Sequence, residues 1–155
     1  MSLEGTTALV SDRYLISAVV DTGGTVTAGQ VVYISNPGFI PAVLPTTGLS
    51  KSVLGVALTG GSAGKTITVI CRGLVRVTAS GTITTGQRIA SDVNGQVQGL
   101  AAMTAPTGGA AQYYDSPTAA ALQTQLDKTE QWVGRAITAS SAAGTVIYAL
   151  IYCIP

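Results

Sequence analysis

The chain has 155 residues, of which only 10% are charged and 46% hydrophobic, with a net charge of +1 and no histidine. Ordinary soluble proteins are about 25% charged, so this surface is built mainly from hydroxyls, amides and small side chains, while the wealth of β-branched residues excludes disorder. The length suits one domain with its own core, and so weak a charge excludes a dense nucleic-acid footprint and leaves little repulsion against self-association.

Residues 1–12 are polar and mixed, and are expected to form an N-terminal arm ahead of a β domain over 13–155. Arg13–Val20, RYLISAVV, is rich in β-branched and aromatic residues and predicts a first strand, turned by Asp21–Gly24. Gln30–Ser35 predicts a second strand, broken by Asn36-Pro37-Gly38. Phe39–Leu44 holds Pro41 and runs into Pro45, which suits an irregular edge. Val53–Leu58, Lys65–Cys71 and Leu74–Ala79 read as three further strands, divided by Gly60-Gly61 and by Gly73. In the last of them Leu74, Arg76 and Thr78 alternate with Val75, Val77 and Ala79, the pattern of a strand with one buried and one contact-forming side. Thr82–Ile89 leads to Asn94-Gly95, a hairpin signal, with Gln96-Val97-Gln98 returning. The stretch 100–131 changes character to a loop ending at Tyr113-Tyr114 and a short helix. Ser116 is its N-cap, Pro117 its first helical residue, and Leu122 and Leu126 its apolar stripe. Trp132–Thr138 and Thr145–Ile154 finish the chain as strands. Many short strands broken by glycine turns predict an all-β fold, a compact barrel or sandwich with one short helical insertion.

The chain also repeats itself. Gly55–Ile70, GVALTGGSAGKTITVI, returns as Gly134–Leu150, GRAITASSAAGTVIYAL, at an offset of 79. Upstream, Thr25–Val32, TVTAGQVV, returns as Thr82–Ile89, TITTGQRI, at an offset of 57. Paired echoes in the same order predict two related β units. The offsets differ by 22, and about that much extra chain is expected within Leu100–Glu130.

Several chemistries are excluded or disfavoured by residue type. Without histidine no Ser-His or Cys-His nucleophile can form. Two cysteines, Cys71 and Cys153, are too few for the usual zinc sites and read as small core residues. Thr59–Thr66, TGGSAGKT, imitates a phosphate-binding loop, yet the first glycine is out of register, a strand follows where a helix is required, and the second copy has no lysine. No metal or cofactor is expected. The seven carboxylates fall mostly in the arm, in turns or in the helix, which suits solvated roles better than the flanking pair of a glycosidase. The N-terminus lacks a secretory pattern, and no run reaches membrane-spanning length. Between Asp21 and Asp92 there is no acidic residue, while Lys51, Lys65, Arg72, Arg76 and Arg88 all fall there. That asymmetry fits either a weakly basic solvated surface or a patch that meets an acidic protein partner.

The pattern VLGVALTGGSAGKTITVICRGLVRVTASGTITTGQRI, followed by WVGRAITASSAAGTVIYALI, resembles the small decoration (cement) proteins of tailed-phage capsids. Shared features are a Val/Leu-Gly-x-Ala-Leu segment, a small-residue Ala-Gly turn, a valine-rich strand, a turn ending in Gly-Gln and a closing Gly-x-Ala-Leu copy. The likeness spans roughly Thr25–Asn94 and Trp132–Ile154, and leaves out the arm and the insertion. It implies a compact β-barrel-like domain, a homotrimer, and binding to the major capsid protein on the outer surface of the virion after synthesis in the host cytoplasm. It implies no catalytic residue, nucleic acid or membrane. Contact with the capsid or a sister subunit is expected from Leu3, Leu9, Arg13, Tyr14, Arg72, Leu74, Arg76, Tyr113, Tyr114 and Trp132. The alternative is a carbohydrate-binding or adhesin-like virion module, in a head fibre or tail, with Tyr113, Tyr114 and Trp132 as a stacking platform.

Overall fold

The computed structural model describes residues 13–48, 52–101 and 131–153. The expected arm, the helix after Ser116, and Leu3, Leu9, Tyr113 and Tyr114 lie outside the described residues. Among the described residues eleven strands follow one another: β1 (Tyr14–Val20), β2 (Thr25–Val26), β3 (Val31–Asn36), β4 (Ala42–Pro45), β5 (Val53–Ala57), β6 (Gly61–Ser62), β7 (Thr66–Thr78), β8 (Arg88–Ser91), β9 (Val97–Gly99), β10 (Trp132–Ala136) and β11 (Val146–Tyr152). The expected β class is what forms, with a closed barrel at its centre.

The main sheet runs β1-β4-β3-β5-β7-β11-β10-β8-β9, and β7 also pairs with β1. That extra pairing closes β1, β4, β3, β5 and β7 into a ring. On the other side of β7, strands β11, β10, β8 and β9 curl back until a parallel bridge joins Ala79 to Val97. Two small barrels therefore share one long strand. Each has its own apolar filling, with Ala18, Val20, Val32, Val43 and Val69 in the first and Val77, Ile83, Ile89, Val133 and Ile147 in the second.

The sequence repeat is the barrel repeat, and its register is kept. Val32 faces Gly55 as Ile89 faces Gly134. Ala57 faces Val69 as Ala136 faces Ala149. Val26 faces Gly61 as Ile83 bridges Ser140. Even the closing contact recurs, because Asp21 N–H donates to the Val43 carbonyl at 3.1 Å and Ser80 N–H to that of Val97 at 2.8 Å. The first half of β7 serves the first barrel as the last strand. Its second half serves the next barrel in the role that β1 has in the first, since Ala18 faces Ile67 and Val77 faces Ile147.

Local chemistry explains why those particular residues recur. In each Thr-x-Gly-Gln turn the glycine is left-handed, at φ 89° for Gly29 and 79° for Gly86, a region that suits glycine alone at no steric cost. The glutamine then closes the turn. Gln30 Oε1 accepts from Thr27 N–H, and Gln87 Oε1 from Thr84 N–H, each at 2.8 Å. In each Gly-x-Ala segment a Cβ on the glycine would lie 2.2 Å from a carbonyl oxygen of the next strand, that of Ile70 for Gly55 and of Leu150 for Gly134. Only a residue without a side chain lets the strands meet there.

Two local expectations are corrected. Lys65–Cys71 and Leu74–Ala79 are one strand, with Gly73 at φ 132° bending it and not ending it. Phe39–Leu44 is no edge, because β4 lies between β1, to which it runs parallel, and β3. Its prolines fit because β4 pairs with β1 only at Ala42 and Val43, so Pro45 needs to serve β3 alone. At the Asn94-Gly95 turn both residues are left-handed, at φ 55° and 69°, as the hairpin requires.

Candidate binding surface

Strand alternation decides what the second barrel shows to the outside. On β7, Cys71, Gly73, Val75 and Val77 point inward, leaving Arg72, Leu74 and Arg76 exposed. On β11, Ile147, Ala149 and Ile151 are buried, while Val146, Tyr148 and Tyr152 are exposed and Leu150 is half-buried. Registration then builds rows across the sheet. Arg72 lies between Tyr14 and Tyr152, Leu74 beside Leu150, and Arg76 beside Tyr148. Leu150 faces Arg135, which faces Arg88.

The far side of this face is an aromatic and guanidinium cluster. A bulge between Trp132 and Gly134 brings both Trp132 and Arg135 outward. Trp132 packs on Tyr152 with ring centroids 6.0 Å apart at 37°, and the Arg88 guanidinium lies 5.7 Å from the Trp132 ring, within the range of cation–π attraction. The indole N–H donates to the Gly134 carbonyl, and Arg135 Nη1 donates to that of Gly86 at 3.1 Å. These bonds orient the cluster and leave most guanidinium donors free for a partner.

At its near side the face sinks into a cleft of about 520 Å³ where the two barrels meet. Arg13, Ala28, Leu58, Leu74, Arg76 and Tyr148 are among its walls. Neither described carboxylate reaches this surface. Asp21 accepts from Ser35 Oγ at 2.6 Å and from Thr22 N–H, which holds its pKa below the usual carboxylate value, and Asp92 accepts from Val93 N–H in the β8–β9 turn. Arg72, Arg76, Arg88 and Arg135 thus give a positive, aromatic-rich face, the composition found at the core of separable protein interfaces.

The structure brings together Arg13, Tyr14, Arg72, Leu74, Arg76 and Trp132 among the contact residues expected from sequence. It adds Arg88, Arg135, Val146, Tyr148 and Tyr152. The alternation Val146/Tyr148/Leu150/Tyr152 was the available signal for the last three. The adjacency of Arg88 and Arg135 follows only from pairing between strands distant in sequence.

Among the described residues no group of three or more His, Cys, Asp or Glu could hold a metal ion, and no helix is long and apolar enough to cross a membrane. Both cysteines are free and buried. Burial pushes the Cys71 thiol up to about 11, and burial, with the nearby Cys71 charge second, pushes Cys153 up to about 12. Both folded pKa values exceed the ordinary 9.0, so the folded state keeps protons that the unfolded chain releases. The thiols' contribution to stability is expected to be level below about pH 8.5 and to fall as pH rises towards 11, measured by urea titrations at stepped pH. A thiol reagent at pH 8 should label neither cysteine until the chain unfolds.

A comparison with curated protein sequences returns no match. Among solved structures the chain is similar to the crystal structure of the head fiber gp8.5 N base in bacteriophage phi29. The two are 14% identical, the alignment covers 89% of this chain and 94% of that one, and the TM-score is 0.53. That likeness is one of fold. Residues 10–151 match the phage cement protein family. The match runs through both barrels, and on it the chain belongs to the phage cement protein family.

Proposed function

We propose that the protein is a non-enzymatic decoration protein that binds the outer surface of the major capsid lattice as a homotrimer and stabilises it. Family membership supports the virion setting, and the face of Arg72, Leu74, Arg76 and their β11 neighbours is the observation that carries the partner. Guanidinium groups next to tyrosine and leucine, without a described carboxylate among them, suit an acidic protein surface. Leu3 and Leu9 of the leading segment, with Tyr113 and Tyr114 of the insertion, are proposed as further contacts. A protein that binds only the assembled lattice shifts it away from disassembly by mass action, and many copies add their small contributions.

The test is occupancy on expanded, DNA-free shells of the cognate phage. Arg72→Glu with Arg76→Glu should weaken binding about tenfold or more, and the loss should be larger at low salt. Unchanged occupancy would remove this face from the lattice contact. A glycan screen that returns hits abolished by Trp132→Ala would favour the sugar-binding reading instead.

A further inference from the structure

The contact between the two barrels has a counterpart at each end of the molecule that the described residues leave largely exposed, although Gln87, the counterpart of Gln30, already donates to the Leu100 carbonyl at 3.1 Å. Inside the chain, the outer side of the first barrel presents Val31, Val56 and Ile70, which join the second barrel's apolar cluster, with Val53 and Leu58 packed against it. The turn between β8 and β9, residues 92–96, grips the rim of that face. Gly95 N–H donates to the Thr46 carbonyl at 2.9 Å, Thr46 Oγ1 to that of Asp92 at 2.8 Å, and Gln30 Nε2 to that of Asn94 at 2.9 Å.

The kept register says which residues stand at the same places in the second barrel. Val31 corresponds to Arg88, Val53 to Trp132, Val56 to Arg135, Leu58 to Ile137 and Ile70 to Leu150. Where the first set is covered, the second is open, with Trp132 38% and Ile137 47% exposed. The counterpart of the gripping turn is the β3–β4 turn of the first barrel, Ser35 to Ala42. It carries Phe39, fully exposed, and Ile40, 51% exposed, between Pro37 and Pro41. One end of the molecule thus offers a receiving face and the other an apolar turn, related by the operation that already joins its two halves.

Composition argues for a separable partner on that face. The covered face is wholly aliphatic, as befits a permanent contact. The open one has exchanged two valines for arginine and one for tryptophan. Arginine and tryptophan are the residues favoured at contacts between separately folded chains. We infer that a second copy of this chain occupies the face, with Phe39 and Ile40 of one copy seated against Trp132, Arg135 and Ile137 of the next. The contact is heterologous, so repeated application must close into a ring or extend as a filament. The inference rests on the self-association proposed above and names its surfaces.

Two single variants, Phe39→Cys and Arg135→Cys, test it with a short bis-maleimide, because Cys71 and Cys153 are buried. Mixed together, free or bound to shells, they should give a covalent dimer that neither variant gives alone. Phe39→Asp should lower the association constant at least tenfold by light scattering. Its position is fully exposed, so the fold is retained. The inference is overturned if either cysteine variant links to itself with equal yield, or if mixing yields no dimer in either state. It is also overturned if the Arg135→Cys thiol links to a cysteine placed in residues 102–130 of its own chain. Shell occupancy of the Arg72/Arg76 double variant is scored in parallel. Cross-linking without lattice binding then defeats the lattice reading alone, and binding without cross-linking defeats the copy-to-copy contact alone.

Discussion

Gly55→Ala and Gly134→Ala are each expected to lower the unfolding free energy by about 3 kcal/mol or more, with the double variant failing to fold at 37 °C. The obstacle is backbone and not side chain. A new Cβ would meet the Ile70 or Leu150 carbonyl oxygen at 2.2 Å, and those carbonyls belong to the central strands β7 and β11. Relief requires the β5–β7 or β10–β11 pair to separate, which also costs ladder hydrogen bonds. Gly81→Ala is the control, because a Cβ there meets nothing within 4 Å, and it should change stability by no more than about 0.5 kcal/mol. Urea unfolding curves give all three numbers. A loss below about 1 kcal/mol at both repeated glycines would contradict the close strand approach.

The second large effect comes from exchanging residues between corresponding positions. Val56→Arg is expected to cost about 5 kcal/mol, because Val56 is wholly buried between the barrels and a guanidinium there would lose its hydration. Arg135→Val, the reverse exchange at the counterpart, should stay within about 1 kcal/mol, since that side chain is exposed and loses one hydrogen bond to the Gly86 carbonyl. Both are measured by denaturant titration at a concentration low enough to keep the chain dissociated. Equal costs at the two sites would show that the second barrel's face is as enclosed as the first's.

The repeat was legible in the sequence because its residues answer backbone demands that leave no choice. Gly29 and Gly86 must be left-handed, Gln30 and Gln87 must reach back to a threonine N–H, and Gly55 and Gly134 must admit a carbonyl. The continuity of β7 was not legible. A glycine between two strand-like runs is the local signature of a break, and only the ladders to β1 and β11 on either side of Gly73 carry the strand on past its positive φ. The placement of β4 was hidden for a similar reason, since Pro41 and Pro45 argue locally for an edge and only the strand pairing shows where β1 leaves off. Half of the candidate surface could be foreseen. Arg72, Leu74 and Arg76 alternate along one strand, whereas Arg88, Arg135 and Leu150 meet across three strands that the sequence keeps far apart.

Sharing β7 gives the molecule a mechanical character. Thirteen residues of extended chain span about 40 Å, and β7 is held along its first half by β1 and β5 and along its second by β11. Hydrogen bonds in these antiparallel ladders lie across the strand direction. A pull along β7 therefore shears whole ladders at once, whereas a pull across them would open one bond at a time. Force entering at one barrel leaves through the other without passing through a flexible joint. A strap between two anchoring points needs that stiffness along its length.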